Sequence, residues 1–111
     1  MKTIDIGKDF SPVPSGRYRS KGRFTGEVFR EDFLVPALRN FDVVSVNLDH
    51  TEGFGSSFLD EAFGGLVTAG IIQKSELLQR LNLVGESPAG ARYRSKVLEY
   101  INSAQPGKST K

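Results

Sequence analysis

FDVVSVNLDHTEGFGSSFLDEAFGGLVTAG, residues 41–70, is the stretch that decides the fold of this 111-residue chain. Between Asp42 and Asp49 it is rich in valine with little alternation of polar and apolar residues, which predicts a buried central β-strand. A glycine-rich loop follows, and a helix is predicted to begin at Ser56 or Ser57. Binding sites of open α/β sheets usually lie where a strand ends in a loop that leads into a helix. The stretch therefore predicts both a fold class and the position of a functional surface.

Strand and helix patterns alternate on both sides of this centre. Residues 3–6 and 80–84 are predicted strands, because their apolar residues recur at short, extended-chain spacings. Residues 25–40 are a predicted helix with Thr25 as its N-cap. Pro36 is expected to kink or interrupt that helix, since proline lacks the N–H that the helix needs. The alternation of elements predicts an α/β protein with a short mixed β-sheet and helices packed on it.

The last part of the chain contains one further helix and a polar tail. Ser87 and Pro88 form a strong helix start, a cap followed by proline at the first position. An apolar stripe spaced by four and three residues continues this helix to Ala104. We therefore predict a single small domain over residues 1–104. The sequence QPGKSTK, residues 105–111, is predicted to be a disordered tail.

Composition and charge exclude several classes of site. The chain has no cysteine, which rules out disulfides, thiolate metal sites and a cysteine nucleophile. With 15 basic and 13 acidic residues, the net charge of +2 is too small to predict nucleic-acid binding by itself. No signal-peptide pattern is present, and no segment approaches the roughly 20 apolar residues of a membrane helix. We expect a cytoplasmic protein with no cofactor, no metal and no membrane contact.

A basic stripe is the most unusual feature outside the central stretch. Arg17, Arg19, Lys21 and Arg23 fall at every second position, so an extended segment would place the four cations on one face. Two interpretations remain open. The stripe protects an edge strand from pairing with other chains, or it contacts phosphates or an acidic partner. No aromatic residue interleaves on the cationic face, which makes single-stranded nucleic acid an unlikely ligand.

The helix after the glycine-rich loop has an unusual predicted surface. On a helical wheel, its apolar residues cover one side, and the other side carries Asp60, Glu61, Gly64, Gly65 and Thr68. Two glycines inside a helix cost about 1 kcal/mol each relative to alanine, so they need a compensating role. Either they leave a bare face that a binding partner approaches closely, or they pack under a neighbouring element of the same chain.

Ser56 and Ser57 have two possible roles. As structural residues, either one caps the helix and contributes about 1 kcal/mol. As functional residues, either one is a phosphoacceptor or holds a bound anion. Asp60 and Glu61 in the first turn disfavour a bound phosphate and suit a basic partner.

The residue types of a catalytic triad are also present in this stretch. Ser57 as nucleophile, His50 as base and Asp49 or Glu52 as orienting acid would make a serine hydrolase. The sequence lacks the G-x-S-x-G pattern, however, and His50 is the one histidine of the chain. Asp49, His50 and Glu52 are too close in sequence to have a familiar metal-ligand spacing. We therefore predict a protein that is not an enzyme and has no metal site.

The order strand, loop, Ser-Ser, helix resembles the core of STAS domains, the fold of bacterial anti-sigma factor antagonists. In that family a D-S-S-G-L motif follows a central strand, and its second serine is a switchable phosphoacceptor. The matching run here is Gly55, Ser56, Ser57, Phe58 and Leu59. The resemblance implies that Ser57 is the equivalent position. Gly55 stands where the family has Asp, and Phe58 stands where it has Gly.

A closer resemblance is to the bacterial STAS-like domain family of unassigned function. It rests on three segments: G-R-Y at 16–18, G-E-x-F-R-E at 26–31, and S-F-L-D-E-A-F-G-G-L at 57–66. In the better-understood STAS relatives the loop and following helix bind a histidine-kinase-like ATPase. The resemblance thus implies a regulatory protein-interaction module that binds through residues 49–68. The alternative, which rests on the residues alone, is a phosphate- or nucleic-acid-binding module that uses the basic stripe at 17–23. The predicted partner-binding residues are His50, Glu52, Gly55, Asp60, Glu61, Gly64, Gly65 and Thr68.

Overall fold

A three-stranded parallel sheet forms one layer of the domain. The computed structural model describes residues 1–107, and within them the strands lie in the order β1-β2-β3. Their bounds are β1 (Lys2–Asp5), β2 (Val44–Asn47) and β3 (Leu81–Val84). In register, Ile4 lies beside Val46, and Val46 lies beside Leu83. The three predicted strands are confirmed, and the central stretch supplies the central strand.

The first helical rod follows β1 and a long loop. It comprises α1 (Gly26–Phe29), a π turn (Arg30–Leu34) and α2 (Val35–Asn40). Thr25 caps it as predicted, because its hydroxyl accepts the N–H of Val28 at 3.5 Å. The interruption expected at Pro36 takes the form of the π turn. Pro36 lies in the first turn of α2, where a missing N–H does the least harm.

The second helical rod follows β2 and the glycine-rich loop. It comprises α3 (Ser56–Leu59), a π turn (Asp60–Gly64) and α4 (Gly65–Thr68). Two further helices complete the domain, α5 (Lys74–Arg80) and α6 (Pro88–Ser103). The hydroxyl of Ser87 accepts the N–H of Gly90 at 2.9 Å, which confirms the predicted start of α6.

The core lies between the sheet and the helices. Val44 and Val46 of β2 are fully buried, together with Phe29 of the first rod and Phe58 and Phe63 of the second. The ring of Phe29 lies 5.9 Å from that of Phe58 and 6.2 Å from that of Phe63, between centroids. These rings join the two rods into one layer, so the position of each rod depends on the other.

The α/β class is confirmed, but the orientation of the sheet differs from the predicted mixed sheet. Every strand pair within residues 1–107 is parallel. The physical reason is the connections, since each one contains a helix, and a helical crossover returns the chain to the same end of the sheet. Of the predicted disordered tail, residues 105–107 lie within the described part of the chain. Gly107 donates its N–H to the carbonyl of Thr68 at 3.0 Å, and residues 108–111 lie outside the described part.

Candidate functional site

The loops that follow the three strands meet at the carboxyl edge of the sheet. His50, in the loop after β2, contacts the end of β1 through its Nδ1, which lies 2.5 Å from Oδ2 of Asp5, the last residue of that strand. The backbone at Gly7 approaches the carbonyl of His50 so closely that a side chain there would overlap it. Ligand sites of parallel sheets lie at this edge. The structure therefore brings a continuous surface to the position that the sequence predicted.

Asp49 fastens the β2 loop to the start of α6. Its carboxylate accepts the N–H of Glu86 at 2.9 Å, the hydroxyl of Ser87 at 2.7 Å and the N–H of Ser87 at 3.0 Å. Gly90 leaves the space that this carboxylate occupies. The N–H of Glu86, followed by the hydroxyl and N–H of Ser87, lowers the pKa of Asp49 below 3.8. Asp49 is thus a positioning residue that holds the loop in place.

An open pocket of about 400 Å³ lies beside this loop. Residues 13–15 form one wall, residues 52–55 form the other, and Tyr93 of α6 lies between them. The Phe54 and Tyr93 rings meet edge to face, with centroids 4.8 Å apart. The two walls are joined where the N–H of Glu52 donates to the carbonyl of Pro12 at 2.7 Å. We call this feature the edge pocket.

The two serines start the second helical rod but do not cap it. Gly55 is the N-cap residue and provides no side-chain hydrogen bond, so the predicted capping role of Ser56 or Ser57 is wrong. Both serines lie within the first turn, where their own φ and ψ are helical and the hydroxyls cannot reach the capping position. Ser56 is exposed and Ser57 is half-buried. Neither hydroxyl hydrogen-bonds to any residue within 1–107.

The two acidic residues at the start of the predicted binding face form ion pairs within the domain. Nη1 of Arg17 lies 3.1 Å from Oδ2 of Asp60 and 3.3 Å from Oε1 of Glu61. Nη1 of Arg30 lies 2.6 Å from Oε2 of Glu61, and its Nε lies 2.9 Å from Oε2 of Glu31. Burial opposes the charge of Arg30, but the two glutamates outweigh it and raise its pKa. We call Arg17, Arg30, Asp60 and Glu61 the inter-rod ion cluster.

The glycines of that face are buried, so the prediction of an exposed, bare surface is wrong. A side chain at Gly65 would overlap the guanidinium of Arg30, and a Cβ at Gly64 would lie 3.3 Å from the carbonyl oxygen of Tyr100. Thr68 is half-buried, and its hydroxyl donates to the carbonyl of Gly64 at 3.4 Å. Close approach is the reason for both glycines, but the approaching groups belong to the first rod and α6.

The basic stripe does not form the predicted extended face. Residues 19–21 form a 3-10 turn, so the cations do not alternate along a strand. Arg17 belongs to the inter-rod ion cluster, and Arg19 lies 3.0 Å from Asp32. The guanidinium of Arg23 lies over the ring of Phe24 at 5.9 Å. Lys21 is exposed. The backbone turns at Gly16 and Gly22, where φ is positive, so the segment cannot run as one extended strand. Three of the four cations instead contact nearby carboxylates or an aromatic ring.

The residues of the hypothetical triad are directed elsewhere. The imidazole Nδ1 of His50 faces Asp5, and the carboxylate of Asp49 faces Glu86 and Ser87. Within residues 1–107, no hydrogen bond joins Ser57 to His50. No group of three His, Cys, Asp or Glu side chains in that range is arranged to hold a metal ion. No helix in the described chain is long and apolar enough to cross a membrane.

Sequence reasoning missed residues 13–15, Tyr93 and Arg30. The sequence could have indicated residues 13–15, because the chain that follows β1 must begin at the carboxyl edge of a parallel sheet, where the site was predicted. Tyr93 was assigned to the apolar stripe of α6, and its position beside the β2 loop depends on how α6 docks. Nothing in the neighbours of Arg30 along the chain indicates that its charge is buried.

The fold and this edge define the class of protein: a small α/β domain whose strand-end loops form an open pocket beside a helix that begins with two serines. A family model described as STAS-like domain of unknown function (DUF4325) matches residues 25–91, and the chain belongs to that family. The match includes both rods, the sheet strands β2 and β3 and the β2 loop. Neither the curated proteins nor the solved structures contain a match.

Replacing Asp49 with asparagine should lower the free energy of unfolding by about 1 kcal/mol near neutral pH, because an amide cannot accept all three hydrogen bonds. The folded-state pKa of Asp49 is lowered. Its contribution is therefore present above the unfolded-state pKa and is lost as pH falls through the folded-state value. Urea unfolding of both proteins across acidic and neutral pH measures this. A wild-type advantage that stays constant down to low pH would contradict the role assigned to Asp49.

Proposed function

We propose that this domain is a non-enzymatic regulatory module that binds a protein partner through residues 49–57 and the first turn of the second helical rod. The observation that carries the proposal is the state of Ser56 and Ser57. Their hydroxyls lie at the carboxyl edge of the sheet and are not used as caps or as partners of other described residues. A serine hydroxyl that makes no hydrogen bond within the described part of the fold is available to a kinase or to a partner.

The resemblance to STAS domains supports a histidine-kinase-like ATPase as the partner and Ser57 as the phosphoacceptor. Ser57 and Asp60 are three residues apart on one helix, so a phosphate at Ser57 would lie on the same side as the Asp60 carboxylate. Phosphorylation would add between one and two negative charges there. Next to the Asp60 carboxylate, this charge would add like-charge repulsion and a desolvation cost to any interface that covers it, which is a sufficient basis for a switch.

Replacing Ser57 with aspartate should weaken the affinity for that ATPase at least about tenfold, whereas Ser57→Ala should bind as the wild type does. Ser95→Asp is the matched control, because it adds the same charge at an exposed position of α6. The partner is first captured by cross-linking in the native host, and its affinity for each purified variant is then measured. Intact-mass measurement of the domain from that host would show the phosphate.

Equal affinities of Ser57→Asp and Ser95→Asp would contradict the proposed switch. Loss of binding in Ser57→Ala alone would instead indicate that the hydroxyl itself contacts the partner.

A further inference from the structure

We propose that the edge pocket receives a lysine or arginine side chain of the protein partner. This inference rests on the proposed function and adds the chemistry by which the partner is recognised. It concerns the walls at residues 13–15 and 52–55, which are separate from the serine hydroxyls themselves.

The charge of the pocket wall favours a cation. Glu52 is the one charged residue among those that line the pocket, and no lysine, arginine or histidine of the described chain lines it. Glu52 is exposed, and its carboxylate makes no ion pair with any residue in 1–107. Its backbone is fixed at the pocket by the hydrogen bond to Pro12, so its flexible side chain can bring an un-neutralised carboxylate to an incoming group. An incoming cation would gain a charged hydrogen bond there, and an anion would be repelled.

The remaining wall suits the apolar stem and the charged end of such a side chain. Phe54 and Tyr93, whose rings meet edge to face, contribute aromatic surface to the lining, and aromatic residues are frequent partners of cationic side chains. Val13 is 55% exposed and offers an apolar surface for the methylene groups. The hydroxyls of Ser15 and Tyr93 are acceptors for the N–H groups of a guanidinium or ammonium ion.

The shape of the pocket favours a side chain over a free small molecule. The volume of about 400 Å³ is ample for a guanidinium and its stem. The pocket is open to solvent, however, so a small free ligand would bury only part of its surface and should bind weakly, with a Kd on the order of 1 mM. A side chain attached to a docked protein needs no such enclosure, because the surrounding interface holds it in place.

Glycine keeps this pocket open, and that provides a steric test. A Cβ at Gly55 would lie 4.0 Å from Oγ of Ser15, an ordinary contact. The backbone of Gly55, with φ −72° and ψ 145°, is one that any residue adopts. Gly55→Leu is therefore expected to fold and to fill the pocket mouth. Gly53 does not offer this test, because its φ of 157° strains other residues.

The experiment is an NMR titration of the full chain with N-acetyl-L-arginine amide. Its neutral, nearly isosteric analogue N-acetyl-L-citrulline amide is the matched probe, and inorganic phosphate is the anionic probe. We expect saturable shifts of the backbone amides at 13–15 and 52–55 with the arginine probe, and about tenfold weaker binding of the citrulline probe.

Two variants connect these shifts to the pocket. Glu52→Gln should weaken arginine binding about tenfold, and Gly55→Leu should abolish the shifts while circular dichroism remains that of the wild type. Glu86→Gln, an exposed acid on the neighbouring loop that does not line the pocket, should bind as the wild type does.

The proposal is overturned if the arginine probe gives no saturable shifts, if the citrulline and arginine probes bind alike, or if phosphate shifts the same amides. These outcomes are distinct from failure of the proposed function. A normal arginine response together with a partner affinity insensitive to Ser57→Asp would reject the switch and leave the cation pocket standing. A partner affinity that depends on Ser57, together with no response to the arginine probe, would reject the cation pocket and leave the switch standing.

Discussion

Replacing Gly26 with alanine should lower the free energy of unfolding by about 3 kcal/mol, the upper end of what overpacking costs. A Cβ at Gly26 would lie 2.5 Å from the carbonyl oxygen of Phe58 and 3.0 Å from the backbone nitrogen of Ala62. Both are backbone atoms of the second helical rod, so they cannot rotate away as a side chain would. The two rods would have to separate, and the packing of their phenylalanine rings would loosen.

Urea unfolding followed by circular dichroism measures this change. Gly55→Ala is the control, because its Cβ meets only an ordinary contact at 4.0 Å and its backbone is not strained. Gly55 is an N-cap, where glycine is preferred to alanine, but alanine also lowers the entropy of the unfolded chain, so we expect that control to lie within about 1 kcal/mol of the wild type. If Gly26→Ala is no less stable than Gly55→Ala, the close crossing of the rods at residue 26 is wrong.

Replacing Glu61 with glutamine should cost about 3 kcal/mol, because it removes the main partner of a buried cation. The side chain of Arg30 is 9% exposed and that of Glu61 is 14% exposed, so water can do little to replace the lost charge. Arg30→Met/Glu61→Met should recover part of the loss, since a buried pair removed as a whole leaves no uncompensated charge. The double variant therefore separates the net contribution of the ion pair to the unfolding free energy from the cost of leaving the Arg30 guanidinium buried without its partner.

The exposed pair Arg19 and Asp32 supplies the matched comparison. Both of its side chains are 50% exposed, and the ion pair distance of 3.0 Å is similar to that of the buried pair. Asp32→Asn should change the unfolding free energy by less than about 1 kcal/mol. Equal effects of Glu61→Gln and Asp32→Asn would show that burial does not increase the contribution of the inter-rod ion cluster to the unfolding free energy.

The three sequence segments that carry the family resemblance meet in this cluster. Arg17 comes from the first segment, Gly26 and Arg30 from the second, and Glu61 from the third. Their residue types are explained by the crossing of two rods and by the ion pairs that cover it. The segments thus mainly reflect the packing of the fold, and the residues proposed for function lie in the β2 loop, at Ser56 and at Ser57, the first residue of the third segment.

The secondary structure could be predicted largely from local patterns. The caps at Thr25 and Ser87 could be predicted because a cap depends only on the next three residues. The central strand could be predicted because a run of valines without alternation indicates a strand that is buried on both faces. The start of the second rod was harder. A serine in front of an apolar helix looks like a cap, and the choice of Gly55 instead depends on how the preceding loop is held by Pro12 and Asp49.

The sequence by itself determined the α/β class, the three strands, the loop and helix that follow β2 and the membership of the STAS-like family. Tertiary structure alone decided which charged residues face water. Arg17 and Asp60 are 43 positions apart, and Arg30 and Glu61 are 31 apart. A helical wheel shows which residues share a face but not what covers that face. That depends on where a second helix crosses, and here it crosses over the glycines and acids that the wheel had left exposed.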